Sequence, residues 1–254
     1  MSPQKRKPAA AHDQSEEQFL ANYDTAEFPH PSVAVDVVLL TVVESALHVV
    51  LIRRGEHPFR GRWALPGGFV AVRESFEDAV DRVLSSKAHI TGVFTEQLYT
   101  FGAPNRDPRT RVISVAYYAL VEHGKLVAAG PGNGDLRLAR LEIPWKGLRG
   151  GGVRAFGTDG KKLPLAFDHD RILGATVLRL RGKLDYAPIG FELLPRLFTL
   201  RQLQAVHEAV LGKTVNKDSF RRRMLASGLV APTGKREEGV LHRPAELYRF
   251  TKKN

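Results

Sequence analysis

The sequence predicts an α+β protein in two parts: an α/β/α sandwich on a mixed sheet over residues 18–186, then a winged helix-turn-helix domain over residues 187–254. Three observations predict it. β-branched runs recur through the first part, with two helical patterns set among them. Composition then shifts near residues 186–198 to a short, basic and differently patterned segment. Finally, that segment carries two capped helix signals separated by a short turn and followed by two strand-like runs.

In chain order, residues 1–17 are polar, hold Lys5, Arg6 and Lys7, and are expected to be a disordered tail. Ser32–Val43 (SVAVDVVLLTVV) and residues 47–53 (LHVVLIR) are β-branched runs around a short polar turn, which predicts a hairpin. Asp36 stands alone in the first run, either structural or facing a cleft. A glycine turn and an amphipathic helix follow within residues 67–90, where Phe76, Ala79, Val80 and Val83 form an apolar stripe. Residues 93–101 and 111–121 read as strands, and the intervening GAPNRDPRT as a loop, because Pro104 and Pro108 exclude regular structure. Residues 130–134 read as another loop, and residues 147–162, with the triplet 150–152, as a mobile excursion. His169–Lys183 has apolar residues at helical spacing, Asp168 and Asp170 at its start, and Arg179, Arg181 and Lys183 at its end, an order that suits the helix dipole.

Residues 67–90, GGFVAVRESFEDAVDRVLSSKAHI, carry a motif. Gly68, Glu74, Arg82, Leu84 and Ile90 fall on the pattern of a Nudix box, and the preceding PFRGRWALPGGF is similar to the approach to that box. The stretch therefore resembles the loop-helix-loop of Nudix hydrolases, in which helix carboxylates hold magnesium that activates water against a pyrophosphate. Here the three metal-binding glutamate positions hold Val83, Ser86 and Lys87, and the later glycine position holds His89. Glu77, Asp78 and Asp81 lie roughly 120° to 160° around the helix from Val83 and do not replace them. The resemblance implies the Nudix fold, with Glu74 and Arg82 as a structural ion pair, while the departures at Val83, Ser86, Lys87 and His89 predict no catalytic residues and no metal site.

Composition bounds the rest. Apolar residues make up 43% and charged residues 26% of the 254, as in ordinary globular proteins. With no apolar run of about 18 residues, no membrane span is expected, and cytoplasmic localisation follows as an expectation. Zero cysteines exclude disulfides and thiolate metal sites. A net charge of +11 points to a polyanionic partner, and residues 199–254 hold 12 Lys and Arg against 5 Asp and Glu. A solvated basic surface gives the same count, so the charge needs a fold beneath it.

That fold is written in the C-terminal segment. Residues 188–195 form a short lead-in helix. Thr199 caps a helix with Leu200, Leu203, Val206, Val210 and Leu211, ended by Gly212. After a turn, Asn216 caps a second helix, KDSFRRRMLAS, closed by Gly228. A basic second helix suits the major groove, and Arg221, Arg222 and Arg223 span roughly 200° of its circumference, so at least two face outward. Residues 229–231 and 247–250 are strand-like, and the loop between them carries Lys235, Arg236 and Arg243, a basic wing. The expected DNA-contacting set is Asn216, Lys217, Ser219, Arg221, Arg222, Arg223, Lys235, Arg236 and Arg243.

With both parts in view, the chain resembles the Nudix-related transcriptional regulators of NAD metabolism, the NrtR family. TFGAPNRDPRTRVISVAYYALV, LAFDHDRIL, FTLRQLQAVHEAVLGKTVNKDSFRRRMLASGLV and RPAELYRF carry the resemblance. It implies a homodimeric repressor of NAD synthesis or salvage genes, held on a palindromic double-stranded DNA operator and released when the Nudix pocket senses a nucleotide effector such as ADP-ribose. No cofactor is required on this reading. Arg53, Arg54 and Arg111 are the expected phosphate partners, with the backbone amides of Gly67 and Gly68 and with Lys87 in place of the missing cation. Phe59 or Trp63 would stack on adenine. Two alternatives stand beside it: an active pyrophosphohydrolase of ADP-ribose-like substrates, and an RNA-binding protein.

Overall fold

The computed structural model describes residues 15–27, 29–129, 135–184, 186–241 and 243–251. Residues 1–14 of the expected tail and the expected loop at 130–134 lie outside them. Residues 15–17 are not tail: Ser15 caps helix α1 (Glu16–Ala21) in a capping box with Gln18. The chain divides into two compact units, residues 1–31 and 32–254, and the sheet belongs to the second.

Its centre is strand β1 (Ser32–Val43), paired in parallel with β6 (Val112–Leu120) and antiparallel with β2 (Ala46–Arg53). Near-continuous apolar sequence suits a strand covered on both faces, and β1 is buried from Val35 through Thr41. The β1–β2 turn places Glu44 and Ser45 at φ 47° and 61°, the paired left-handed conformation that matches strand twist in a two-residue hairpin. The sheet runs β5 (Phe94–Phe101), β6, β1, β2, β7 (Leu136–Glu142), β8 (Arg154–Phe156), β9 (Lys162–Leu163), while β3 (Trp63–Ala64) pairs with β2 and β4 (Gly67–Phe69) with β1.

Side-chain alternation sorts the two faces. Val35, Val37 and Leu39 of β1, with Val115 and Tyr117 of β6, pack against helix α2 (Phe76–Ala88) through its Ala79, Val80, Val83 and Leu84. Val38 and Leu40, with Ala116 and Tyr118, face the other way, toward Ile172, Leu173 and Val177 of α4 (His169–Lys183). Asp36 and Ser114 share the parity of this second face, which decides where Asp36 points. A short helix, α3 (His123–Ala128), precedes β7.

Residues 147–162 are not a mobile excursion. They form the β8–β9 hairpin at the sheet edge, and the glycine triplet packs along α4.

Beyond a 3-10 turn at Pro188–Leu193, Thr199 caps α5 (Leu200–Leu211) in a capping box with Gln202, and Gly212 ends it at φ 65°. Asn216 caps α6 (Lys217–Ala226), and Gly228 follows at φ 71°. Strands β10 (Val230–Arg236) and β11 (Glu246–Phe250) complete the wing. They are longer than the sequence suggests, so Lys235 and Arg236 lie on β10 rather than in the connecting loop. One hydrophobic cluster runs from α4 into this module, through Leu184, Leu193, Phe198, Leu203, Phe220, Met224 and Tyr248. Among the described residues no helix is long and apolar enough to cross a membrane.

Candidate functional site

A cleft of about 460 Å³ opens between β1, the end of β2, the loop before α2, the loop at residues 102–110 and the start of α4. Its floor is a buried ionic network. Arg106, whose side chain is 4% exposed, donates from Nε and Nη2 to Asp168 at 3.1 and 2.8 Å and from Nη2 to Asp36 Oδ2 at 3.3 Å. Ser114 donates to the same Asp36 oxygen at 2.5 Å. Burial opposes the guanidinium charge, but the two carboxylates outweigh it and raise the Arg106 pKa. Beside them, His169 Nδ1 accepts from the Leu65 amide at 2.9 Å, which leaves the proton of the neutral ring on Nε2, 3.6 Å from Asp36 Oδ1. Burial pushes the His169 pKa down against the pull of Asp36, so the ring is neutral.

The walls pair cations with aromatic faces. Arg54, held by a 2.7 Å bond from Nε to the Pro58 carbonyl, lies 4.8 Å from the Phe167 ring centre, and Arg109 lies 5.3 Å from that of Phe69. Asp107 fixes Arg109 through two side-chain bonds at 3.0 and 2.8 Å, and this contact holds its own pKa down. Gly67 closes tightly over the floor: any side chain there would strike Asp36 Oδ1 and lie 2.8 Å from the Val35 carbonyl.

Of the three box positions on helix α2, Lys87 lines this cleft; the other two are turned elsewhere. Val83 is fully buried in the core below Gly68. The Ser86 hydroxyl donates back to the Arg82 carbonyl at 2.6 Å. Lys87 reaches into the cleft and donates to the Gly67 carbonyl; partial desolvation lowers its pKa while Asp36 works the other way. A divalent ion needs oxygen donors at these positions. A buried methyl group, a hydroxyl turned to its own helix and an ammonium do not fit one. Among the described residues no three His, Asp or Glu side chains group as a metal set.

The frame of the box is intact. Arg82 donates to Glu74 at 2.5 and 2.8 Å and to the Phe69 carbonyl at 3.0 Å, and Glu74 accepts from the Ala71 amide at 3.0 Å. These bonds, the Arg82 pair first, push the Glu74 pKa down to about 2. His89 sits at φ 54° as the C-cap of α2, the left-handed conformation that favours glycine.

Of the residues the sequence singled out for the effector, Arg53, Arg54, Gly67, Gly68 and Lys87 line the cleft. Three do not. Trp63 is a core residue, 7% exposed, with Arg137 against its ring, because β3 is drawn into pairing with β2. Arg111 is exposed at the start of β6, its carbonyl accepting from the Ser32 amide at 3.0 Å. Phe59 stands behind Phe167, edge to face at 4.9 Å. Sequence reading missed Phe69, Arg106, Asp107, Arg109, Phe167, Asp168 and His169 as cleft or floor residues. The charged runs NRDPR and FDHD were the available signal.

On the C-terminal module, Lys217, Ser219, Arg221, Arg222 and Arg223 of α6 are all exposed, as are Lys235, Arg236 and Arg243 of the wing. Asn216 is engaged as the helix cap, accepting from the Ser219 amide at 3.0 Å.

Comparison with known proteins adds to this geometry. The profile of the NUDIX domain matches residues 30–143, and that of the NrtR DNA-binding winged helix domain matches residues 190–250. The ADPR responsive transcriptional repressor NtrR of Acinetobacter baylyi is 34% identical over 238 residues, 93% of this chain and 88% of its own. The chain belongs to the NrtR family. A crystal structure of Shewanella oneidensis NrtR complexed with a 27mer DNA superposes at TM-score 0.68 with 34% identity, covering 86% of this chain and 93% of that one. A MutT/nudix family protein of Enterococcus faecalis superposes at 0.74 with 28% identity and 94% coverage of each chain. The Nudix part of this NrtR-family chain is also similar to an enzyme, the ADP-ribose pyrophosphatase of Methanocaldococcus jannaschii, at 34% identity over 145 residues, 57% of this chain and 72% of that one.

Proposed function

We propose that the chain is a DNA-binding transcriptional repressor whose Nudix cleft senses ADP-ribose, or a closely related diphosphate nucleotide, without cutting it. The carrying observation is Lys87: where the hydrolase pattern has a metal-binding glutamate, an ammonium reaches into a cleft already flanked by Arg53, Arg54 and Arg109. A diphosphate needs positive charge and donors around it, and these side chains with the amides of Gly67 and Gly68 supply both without a divalent ion. Phe167 and Phe69, each faced by an arginine, offer surfaces for an adenine ring, in place of the expected Trp63. Hydrolysis asks for more, an activated water and an ion to neutralise the transition state, and the side chains at positions 83, 86 and 87 supply neither.

The Acinetobacter repressor and the DNA-bound Shewanella structure support the DNA half of the reading, as do the outward arginines of α6. A homodimer on a palindromic site is the assembly that a two-fold operator requires. Similarity to the Methanocaldococcus pyrophosphatase favours a second reading, in which some turnover persists.

Calorimetric titration with ADP-ribose in excess EDTA, beside an assay for AMP release in magnesium or manganese, separates the two. Metal-free binding with no AMP is the expected result. Binding that appears only with metal, or sustained AMP release by the pure protein, overturns the proposal.

A further inference from the structure

Helix α4 touches the cleft at one end and the winged helix at the other. Its 15 residues span about 22 Å at the usual rise. At the N-terminus, Asp168 and His169 belong to the ionic floor. At the C-terminal end, Arg181 is 6% exposed, and among the described residues no carboxylate pairs with it. Instead it donates from Nε to the Val210 carbonyl at 2.9 Å and from Nη1 to the Gly147 carbonyl at 3.0 Å, with its guanidinium 4.6 Å from the Trp145 ring centre.

Burying a cation among carbonyls is costly unless something compensates it, and burial lowers the Arg181 pKa. The compensation is the C-terminal end of α5, where the last carbonyls carry partial negative charge. Gly212 makes room for it: a Cβ there would lie 2.7 Å from Arg181 Nη2.

A strap of chain at residues 143–153 lies along the same helix. The Val153 amide donates to the Asp170 carbonyl at 3.2 Å. A side chain at Gly152 would come within 2.8 Å of Asp170 Oδ2, and one at Gly174 would strike the Gly151 carbonyl. That carbonyl accepts from Trp145 Nε1 at 3.1 Å, and Trp145 in turn backs Arg181. Contacts are thus continuous from Asp170, two residues past Asp168, through the strap to α5.

We propose that α4 with this strap carries the occupancy of the cleft to the winged helix, and that Arg181 is the joint between them. The inference rests on the ADP-ribose repressor reading. A diphosphate anion in the cleft competes with Asp36 and Asp168 for Arg106, which lines it, and so shifts the start of α4. A packed helix moves as a body, so the shift arrives at the α5 carbonyls that Arg181 grips. Only a difference between the two states in that grip alters DNA affinity.

The test uses the full-length protein and a duplex it selects from a random-sequence pool. Fluorescence anisotropy gives the duplex Kd with and without saturating ADP-ribose, and calorimetry gives the ADP-ribose Kd. Arg181→Met removes the donors while keeping the chain length; Trp145→Phe keeps the ring but loses the bond to Gly151. Both variants should bind ADP-ribose within about threefold of wild type, while the fold-change in duplex Kd on adding ADP-ribose collapses toward one, from a wild-type value on the order of tenfold or more. Should Arg181→Met fail to fold, Trp145→Phe decides. A wild-type fold-change of one sinks the repressor reading and this link with it. A wild-type response kept in full by the folded variants overturns the link alone.

Discussion

Removing the Arg106 guanidinium should be among the most damaging single changes in the cleft. In Arg106→Met the carboxylates of Asp36 and Asp168, with side chains 12% and 15% exposed, lose the cation that bonds them at 3.3 and 2.8 Å. Breaking a buried ion pair from one side costs about 3–5 kcal/mol, because the remaining charge is left uncompensated. At about 2–4 °C per kcal/mol for a domain of this size, the melting temperature should fall by about 6–20 °C. Thermal unfolding followed by circular dichroism reads this directly. Arg106→Met combined with Asp36→Asn and Asp168→Asn should recover most of the loss, since no buried charge is then stranded. A fall of less than about 3 °C in the single variant, or a triple variant less stable than the single one, would refute the claim that charge compensation, rather than packing, is what Arg106 provides.

Three further outcomes follow from the same geometry. Replacing Arg221 and Arg222 together by alanine should abolish duplex binding in anisotropy while leaving ADP-ribose-induced thermal stabilisation intact; loss of both would mean the two functions are not divided between the cleft and α6. His89→Gly should stabilise the protein by about 1 kcal/mol, because glycine relieves the left-handed conformation at φ 54°, and an unchanged or lower denaturant midpoint would argue against strain there. His169 is held neutral below its ordinary value of 6.5, so as pH falls through that value the unfolded chain takes up a proton that the folded ring refuses. Stability is therefore unaffected by this residue above about pH 6.5 and declines below it. His169→Gln should flatten the dependence of melting temperature on pH between about 7 and 5, and parallel curves for variant and wild type would show that the ring titrates normally.

Much of the fold was legible because its rules are local. The unbroken apolar runs of Ser32–Val43 and Val112–Leu120 mark strands buried on both faces, and the bounds of α4 match those read from its charge order and apolar spacing. The caps Thr199 and Asn216 act as caps. What was not legible depends on distant partners. Arg106 sits in a stretch whose prolines mark it only as a loop, yet its side chain is buried with Asp168 and Asp36, 62 and 70 residues away. Trp63 looks like a stacking platform until β3 pairs with β2 and takes the ring into the core. The triplet at residues 150–152 reads as mobile, but close approach to Asp170 and Gly174 is what its missing side chains permit.

On the proposed function, a nucleotide diphosphate bound with no divalent ion loosens the hold of the winged helix on DNA. Anisotropy of a labelled duplex selected by the protein, titrated with ADP-ribose in excess EDTA, tests it most directly. The duplex should be released as ADP-ribose saturates the cleft, with the nucleotide recovered uncut. A duplex that stays bound at saturating ADP-ribose, or is released only when magnesium is restored, would contradict it.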